Sequence, residues 1–537
     1  MSTVFQEQIE RSALWAAYGD IVGFPSELIS EGDFIKRNSI RSIDGPIEWS
    51  RRVGGIFGPD IVFPIGSYSD DTQLRLSTCR AIRGDGFFDV ESFAKIELPV
   101  WLNYALGAGR GSKAAAANLA LKDSTWYKNF FTTANTNYCN GGGNGAVMRI
   151  QPHVWALHNH GLAAVLPDVI RNTICTHGHP RAIIGSAIHA AFLLQTLYSK
   201  KHIAPYEWAD FGADVAAKTY ETLIEDDELS LIWIPTWEQL TEKKLKTCWA
   251  ETLTEWTSAA QLAAQASLIS NSKQNTYVKI LTELGGFSPS ERGSGLKTPL
   301  YASVLAWLFR DEPTEAPLLL SANTFNSDTD SIGTVAGALV GAISSSLPSS
   351  KIQDYSYIQT EAQRLYKIGG GSKQESFNYP DILAWTPPKN QSAAWVYKNG
   401  VATLSGLGEL DPRGNEFQNK KGPRLVWRWC TLPFGQTILA KRREEKDTSD
   451  LRVALPKQHS IQTELPINFP HLASTPNEFS TIDEHTNFCI KAKFDPTLIG
   501  ESLLILSQGD NGIEKAIAFA AVIAKAKIAR SAKNIEN

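Results

Sequence analysis

The sequence predicts a mainly α protein: a compact all-helical domain over residues 1–370, a linker over 371–388, and a small α+β domain over 389–537. Three observations carry this reading. Apolar residues recur at helical spacing through the first two thirds of the chain. Two clusters of carboxylates each stand where such a helix begins, at Asp70-Asp71 and at Asp328-Thr329-Asp330. After Gly369-Gly370-Gly371 and Pro387-Pro388 the period changes from helical to the alternation of strands.

Over residues 8–20 the apolar positions Ile9, Leu14, Ala17 and Tyr18 predict a helix that ends at Gly19, with Asp20 in the turn just beyond. Pro25 then starts the next element. Glu27 falls in its first turn, where a carboxylate is electrostatically favoured with or without a metal. Gly66-Ser67-Tyr68-Ser69-Asp70-Asp71-Thr72-Gln73 runs into Leu74-Arg75-Leu76 and is a helix mouth with Ser69 or Asp70 as its cap. Taken alone, that is an ordinary helix start. The hydroxyls of Ser69 and Thr72 beside two carboxylates also suit a hard divalent cation.

Residues 98–106 read as a helix, and Gly107-Ala108-Gly109-Arg110-Gly111-Ser112-Lys113 as a loop opening another over 114–121, with Ser112 as N-cap. The loop lacks the spacing of a phosphate-binding Gly-x4-Gly-Lys-Ser/Thr. Tyr138-Cys139-Asn140-Gly141-Gly142-Gly143-Asn144-Gly145 is the densest glycine cluster and precedes a helical Ala146-Val147-Met148-Arg149. Its bare amides can cradle a diphosphate, and a flexible surface turn is the competing reading. His177 and His179 flank Gly178 ahead of a buried helix over 182–194, and neither has a partner at zinc-site spacing.

From 200 to 297 the pattern stays helical, and Trp208, Trp233, Trp237, Trp249 and Trp256 are expected in the core or at an interface. Gly293-Ser294-Gly295 precedes a helix through 300–306, Asn326-Ser327-Asp328-Thr329-Asp330-Ser331 opens another over 332–343, and a last one ends near Lys367. Beyond the linker, 395–404 is a hairpin turning at Asn399-Gly400, and 425–430 with 437–440 is a second. Residues 488–494 alternate as a strand, and a helix over 513–529 follows the turn Asp510-Asn511-Gly512. Lys441-Arg442-Arg443 runs into Glu444-Glu445 and reads as a solvated mixed-charge surface.

Two acidic helix mouths in one chain suggest one shared metal site. An α-helix turns about 100° per residue, so Asp70 and Asp71 cannot both point at one ion from regular positions, and Asp328 with Asp330 pose the same problem. A pair of ions resolves it, and all-oxygen ligands favour Mg²⁺ or Mn²⁺ over zinc.

Composition narrows the class. With 43% hydrophobic and 20% charged residues the chain is ordinary for a globular protein, and a net charge of -4 argues against a general nucleic-acid binder. Six scattered cysteines form no Cys-x-x-Cys, which points to a reducing compartment. The acidic N-terminus and the expected lack of an apolar run near ~20 residues point to a cytoplasmic protein without a membrane span.

The motifs Gly19-Asp20-Ile21-Val22-Gly23-Phe24-Pro25-Ser26-Glu27, Ser69-Asp70-Asp71-Thr72, Gly143-Asn144-Gly145-Ala146-Val147-Met148-Arg149, Thr176-His177-Gly178-His179-Pro180 and Ser327-Asp328-Thr329-Asp330-Ser331 resemble, in order, those of the ADP-ribosylglycohydrolase family, which includes ADP-ribosyl-arginine and dinitrogen-reductase-activating hydrolases. The likeness spans about residues 8–368. It implies an all-helical domain that hydrolyses the glycosidic bond of ADP-ribose on a protein or other target, arginine-linked ADP-ribose being the first expectation. It further implies two Mg²⁺ or Mn²⁺ ions held by Glu27, Ser69, Asp70, Asp71, Asp328, Asp330 and Ser331, with Glu27, Asp70 and Asp71 as the catalytic carboxylates. Tyr138, Gly143, Asn144, Gly145, Met148 and His177 are the implied substrate-binding residues, with Tyr138 stacking on adenine. Ser69 and Ser331 replace the family's threonines and keep the hydroxyl; Ser327 replaces a glycine and gives up its freedom at positive φ. The alternative is a non-catalytic ADP-ribose binder of the kind recruited as lens crystallins. The C-terminal domain is a candidate for recruiting a partner or substrate.

Overall fold

A computed structural model describes residues 2–269, 272–422, 424–444, 481–508 and 512–533. The chain divides into two compact units, Met1–Lys446 and Asp447–Asn537. The helices of the first unit that reach the site are, in chain order, α1 (Ser2–Gly23), α2 (Asp70–Ala81), α3 (Arg110–Leu119), α4 (Pro180–Ser199), α5 (Thr298–Leu308), α6 (Thr329–Ile343) and α7 (Tyr355–Gly369).

The centre of the unit is the crossing of α1 on α6. Small residues let the two backbones meet: a Cβ placed on Gly19 would lie 2.0 Å from the carbonyl oxygen of Gly333. Side-chain hydroxyls stitch the same seam, Thr334 Oγ1 donating to the Ala16 carbonyl (2.8 Å) and Ser12 Oγ to that of Ala338 (2.9 Å). This packing explains why the expected helix stop at Gly19 is absent. Gly19 serves the crossing rather than a C-cap, α1 continues to Gly23, and Asp20 projects from its interior. Gly19→Ala is therefore expected to destabilise the protein by about 1–3 kcal/mol or more through overpacking against immovable backbone, read as a lowered midpoint in chemical denaturation with an unchanged slope.

By length and composition α4 alone among the described helices could cross a membrane, against the expected lack of such a run, yet 83% of its apolar window is buried inside the unit. Its apolarity is that of a core helix. The tryptophans at 208, 233, 237, 249 and 256 are buried as expected. The expected helix over 98–106 stops after Leu98–Trp101. Asn103 and Tyr104 instead donate back to Val100 and Trp101 (2.9 Å each), and the Leu106 amide is taken by Gln73 Oε1 (3.3 Å). Helix α3 begins at Arg110 with Gly109 at its N-cap, so Ser112 is not the cap. Residues 147–149 form a single 3-10 turn.

Six of the eight described strands lie late in the unit. Strands β1 (Trp49–Arg52) and β2 (Asp60–Phe63) form an early two-stranded ribbon. Strands β3 (Trp395–Lys398), β4 (Val401–Leu404) and β5 (Gly408–Glu409) make one antiparallel sheet, whose first hairpin turns at Asn399 and Gly400 with φ of 51° and 81° as its Asn-Gly pair requires. Strands β6 (Asp411–Gln418), β7 (Leu425–Thr431) and β8 (Thr437–Arg443) make a second, and β7–β8 is the other expected hairpin. Leu404, Cys430, Ile438 and Ala440 belong to the same buried cluster as α1 and α6. The linker expected over 371–388 and the hairpins after it thus lie within the first unit.

The described part of the second unit is helical: Ile482–Lys491, Pro496–Leu506 and Gly512–Lys533 close on Phe488, Cys489, Leu506, Phe519 and Ile523. The strand expected over 488–494 is instead the end of the first of these helices, to Lys491, and the turn after it. Its capping box decides the matter: Thr481 Oγ1 accepts from the Glu484 amide (3.3 Å) and Glu484 Oε2 from the Thr481 amide (3.0 Å). The last helix is as expected, while Asp510 and Asn511 of its turn, and Glu445 of the charged run, lie outside the described residues. All six cysteines are free and buried.

Candidate active site

The first acidic mouth is built by a residue from another helix. Asp20 of α1 accepts from the Ser69 amide (2.9 Å), the Thr72 amide (2.9 Å) and Thr72 Oγ1 (2.6 Å). Ser69 is the N-cap, its hydroxyl accepting from the Asp71 amide (3.1 Å). With Asp20 and Ser69 satisfying the exposed amides, Asp70 and Asp71 keep their carboxylates for other use. Sequence reading noticed Asp20 only as a turn residue; its role as a distant cap depends on the α1–α6 crossing.

The second mouth faces the first. Asp328 is the N-cap residue of α6, and Asp330 lies in the first helical turn, so α6 starts earlier than expected. Ser331 Oγ donates to Asp71 Oδ1 across 3.5 Å, bringing residues of both motifs together. Asp330 Oδ1 accepts from the Ser331 amide (2.9 Å). The left-handed residue at this bend is Asn326 (φ 67°), while Ser327 uses its hydroxyl to bond the Thr324 carbonyl (2.6 Å). Serine is thereby accommodated at 327. Glu27 is held alongside, since the Leu28 amide donates to the Ser327 carbonyl (3.1 Å), and Arg51 of β1 reaches Glu27 Oε2 at 3.3 Å.

Crowding and burial set the charge state. Asp70, Asp71 and Asp330 are pushed well above the usual carboxylate range, first by burial and then by the carboxylates around them. Asp20 and Asp328 move the same way by burial. Glu27 rises to about 7, burial and Asp328 outweighing Arg51. A carboxyl group whose folded pKa is raised stabilises the fold fully below its unfolded pKa, and that contribution is lost as pH rises through the folded value. For Glu27 the window runs from 4.5 to about 7. In excess chelator the protein is therefore expected to melt at a higher temperature at pH 5.5 than at pH 8, measured by calorimetry; an equal or rising profile would contradict this charge arrangement.

The glycine cluster closes the opposite wall. The Asn144 amide donates to the Gly293 carbonyl (3.0 Å) and the Gly295 amide to that of Gly142 (2.9 Å), so the two glycine loops pair. Asn144 Nδ2 donates to Asp328 Oδ2 (2.9 Å), tying this wall to the acidic mouth. His177 lies against it: a Cβ on Gly145 would fall 2.7 Å from Ser112 Oγ and 3.0 Å from His177 Cε1. Burial, seconded by Arg149, lowers the His177 pKa to about 3 and keeps the ring neutral. Gly143, Asn144, Gly145 and His177 thus lie together.

One expected binding residue, Tyr138, is not offered to a ligand. Tyr138 is buried, its hydroxyl donating to the Ile174 carbonyl (2.7 Å) and accepting from Trp233 Nε1 (2.9 Å), and a Cβ on Gly178 would lie 2.4 Å from its ring. Stacking on adenine is excluded in this arrangement because the ring is part of the core. Met148 is likewise buried. His179 caps α4, its Nδ1 accepting from the Arg181 amide (3.1 Å).

Gly107 is a site residue the sequence did not single out. At φ 81° it lies so close that a Cβ would come within 3.0 Å of Asp70 Oδ1 and 3.6 Å of Glu27 Oε2. Its signal was the loop after 106, read there only as a helix opening. Arg75 was also missed; buried on α2, it donates to Thr72 Oγ1 and Thr334 Oγ1 (2.7 Å each) and so ties α2 to α6 beside Asp20 and Asp71.

The two acidic helix mouths and the paired glycine loops thus form one carboxylate-rich cluster within the helical unit. A family model described as ADP-ribosylglycohydrolase matches residues 1–375, and the chain belongs to that family. It is accordingly a glycosidic hydrolase. A solved structure titled "ADP-ribosylglycohydrolase-related protein complex" is similar at 18% identity and a TM-score of 0.40, over 68% of this chain and 99% of that one. No curated protein matches.

Proposed function

We propose that the protein is a metal-dependent hydrolase that cleaves the N- or O-glycosidic bond between ADP-ribose and a protein or other target, with ADP-ribosyl-arginine its first candidate substrate. The observation that carries this reading is the meeting of the two acidic mouths at Asp71, whose second oxygen, Oδ2, is buried without a partner. An orphaned carboxyl oxygen in a cluster of crowded carboxyl groups fits a cation, whose charge would favour their ionised forms. Among the described residues no three His, Cys, Asp or Glu side chains already converge on one point, so binding has to draw the carboxylates together.

Glu27, Ser69, Asp70, Asp71, Asp328, Asp330 and Ser331 supply only oxygens and would hold Mg²⁺ or Mn²⁺, two ions being the expectation from the diverging pairs. Such ions supply positive charge that orients sugar hydroxyls and acidifies water. Glu27, Asp70 and Asp71 are the candidates to take the proton, and Arg51 fixes Glu27 through Oε2. The amides of the glycine wall suit the diphosphate, and neutral His177 beside them suits a ribose hydroxyl. Asn137, Asn140, His179, Trp237 and Thr241 line a cavity of about 250 Å³ next to that wall, a place for the nucleobase in lieu of Tyr138.

The test is release of ADP-ribose from arginine-linked, serine-linked and base-linked substrates after EDTA treatment, with and without added Mg²⁺ or Mn²⁺. Turnover of at least one substrate only with the ion is the expected result. Full activity in excess EDTA would sink the metal part, and no release from any substrate would sink the whole.

A further inference from the structure

The family match ends at residue 375, yet the strands beyond it are bonded to the acidic site by an unbroken path. The path starts at Asn103, which is buried in the turn where the expected helix over 98–106 fails. Its side chain bonds only to the C-terminal strands and their lead-in. Nδ2 donates to the carbonyls of Lys441 (2.6 Å) and Gln391 (2.7 Å), and Oδ1 accepts from the Lys441 amide (3.1 Å). Lys441 lies in β8, so Asn103 grips that strand by both sides of one peptide position.

On its other side the turn is bonded to α2. Gln73 Oε1 accepts from Trp101 Nε1 (3.1 Å) and the Leu106 amide (3.3 Å), while Nε2 donates to the Tyr104 carbonyl (3.2 Å). The Asp70 amide donates to the Leu106 carbonyl at 2.7 Å. Gly107 follows, where an added Cβ would fall 3.0 Å from Asp70 Oδ1 and 3.6 Å from Glu27 Oε2. Apolar packing follows the same route, because Phe24 and Leu106 share a buried cluster with Trp427, Trp429 and Leu439 of β7 and β8. A second tie reaches the same mouth from the β7–β8 turn. Asp354 Oδ2 accepts from the Thr437 amide (2.7 Å) and from the hydroxyl of Tyr68 (2.6 Å), the residue before Ser69.

We propose that β8 is a working part of the catalytic unit and that Asn103 is a positioning residue, which transfers the set of β8 through the Leu102–Gly107 turn to Asp70 and Glu27. The proposal rests on the hydrolase reading for its effect on turnover, though not for the coupling itself. Three hydrogen bonds depend on one side chain that touches neither acidic mouth. Losing them leaves the turn tied to α2 alone, through the Gln73 contacts and the Asp70 amide, and a displaced Gly107 shifts the space available to both carboxylates.

The experiment compares the full chain with Asn103→Ala and Asn103→Ser by amide hydrogen exchange and by kinetics on the best ADP-ribosylated substrate. The expected result is faster exchange in peptides covering 66–76 and 102–109, with peptides of α4 unchanged. With it comes a kcat lower by about 10- to 100-fold at a KM within about twofold, the scale for a misplaced catalytic group. Asn103→Ser, whose hydroxyl can still meet Lys441, should fall between Ala and wild type, and it serves if the alanine variant does not fold. Exchange that is unchanged in both peptides, or that rises equally throughout the unit with kcat per folded molecule intact, overturns the proposal. If the wild type hydrolyses no ADP-ribosylated substrate, the functional reading fails while the exchange comparison still decides the coupling.

Discussion

Asp71→Asn will remove nearly all hydrolysis while the metal-free protein melts no lower than wild type. Asp71 is buried, one of its oxygens has no partner, and Asp20, Asp70 and Asp328 all raise its pKa. The amide preserves volume and can still accept from Ser331, but it withdraws the anion at the one point where the two motifs touch. Loss of a proton-handling or ion-holding carboxylate is expected to cost roughly 10²–10⁴-fold in turnover. The same change removes one charge from a repulsive cluster, so stability in EDTA should hold or rise. Asp70→Asn should behave similarly, with the added effect of altering the contact at Gly107. Turnover near wild type in the Asp71 variant would return the first motif to the role of a plain helix cap.

Asp330→Ala is expected to weaken metal binding more than any other single change. Its Cα is seated hard against α1, a Cβ on Gly23 falling 2.5 Å from it, so the backbone cannot shift to replace the lost ligand. The Asp330 side chain bonds the amide of Ser331, and burial first, then Glu27, Asp71 and Asp328, raise its pKa. Truncation therefore gives up one capping bond and relieves repulsion from at least three carboxylates, and the two effects oppose. In EDTA the variant should melt no lower than wild type. A ligand present at 100 times its Kd stabilises by about 2.7 kcal/mol, and the variant should gain much less than wild type from the same Mg²⁺ concentration. Equal Mg²⁺-induced shifts in calorimetry would show that Asp330 is not a ligand.

What the sequence by itself determined follows from short-range rules. The two acidic mouths, the helices behind them, the Asn-Gly hairpin at 399–400 and the β7–β8 pair each depend on a few neighbouring residues, and each was legible. Misreadings arose where a distant group overrode the local signal. Gly19 looks like a helix stop until Gly333 is brought against it. Residues 98–106 look helical until Gln73 and Asn103 claim that turn's backbone and side-chain bonds for α2 and β8. Residues 488–494 alternate as a strand, but a capping box seven residues earlier starts a helix that runs to Lys491. Tyr138 has the composition of a stacking residue, and only packing shows that its ring is spent on Gly178 and its hydroxyl on Ile174 and Trp233. The carboxylates of the site were therefore readable as a set, because charge next to a helix mouth is local. Their arrangement was decided by tertiary structure alone: Asp20 as cap, Gly107 as wall and β8 as support depend on backbones meeting across long separations, for which a linear pattern holds no record.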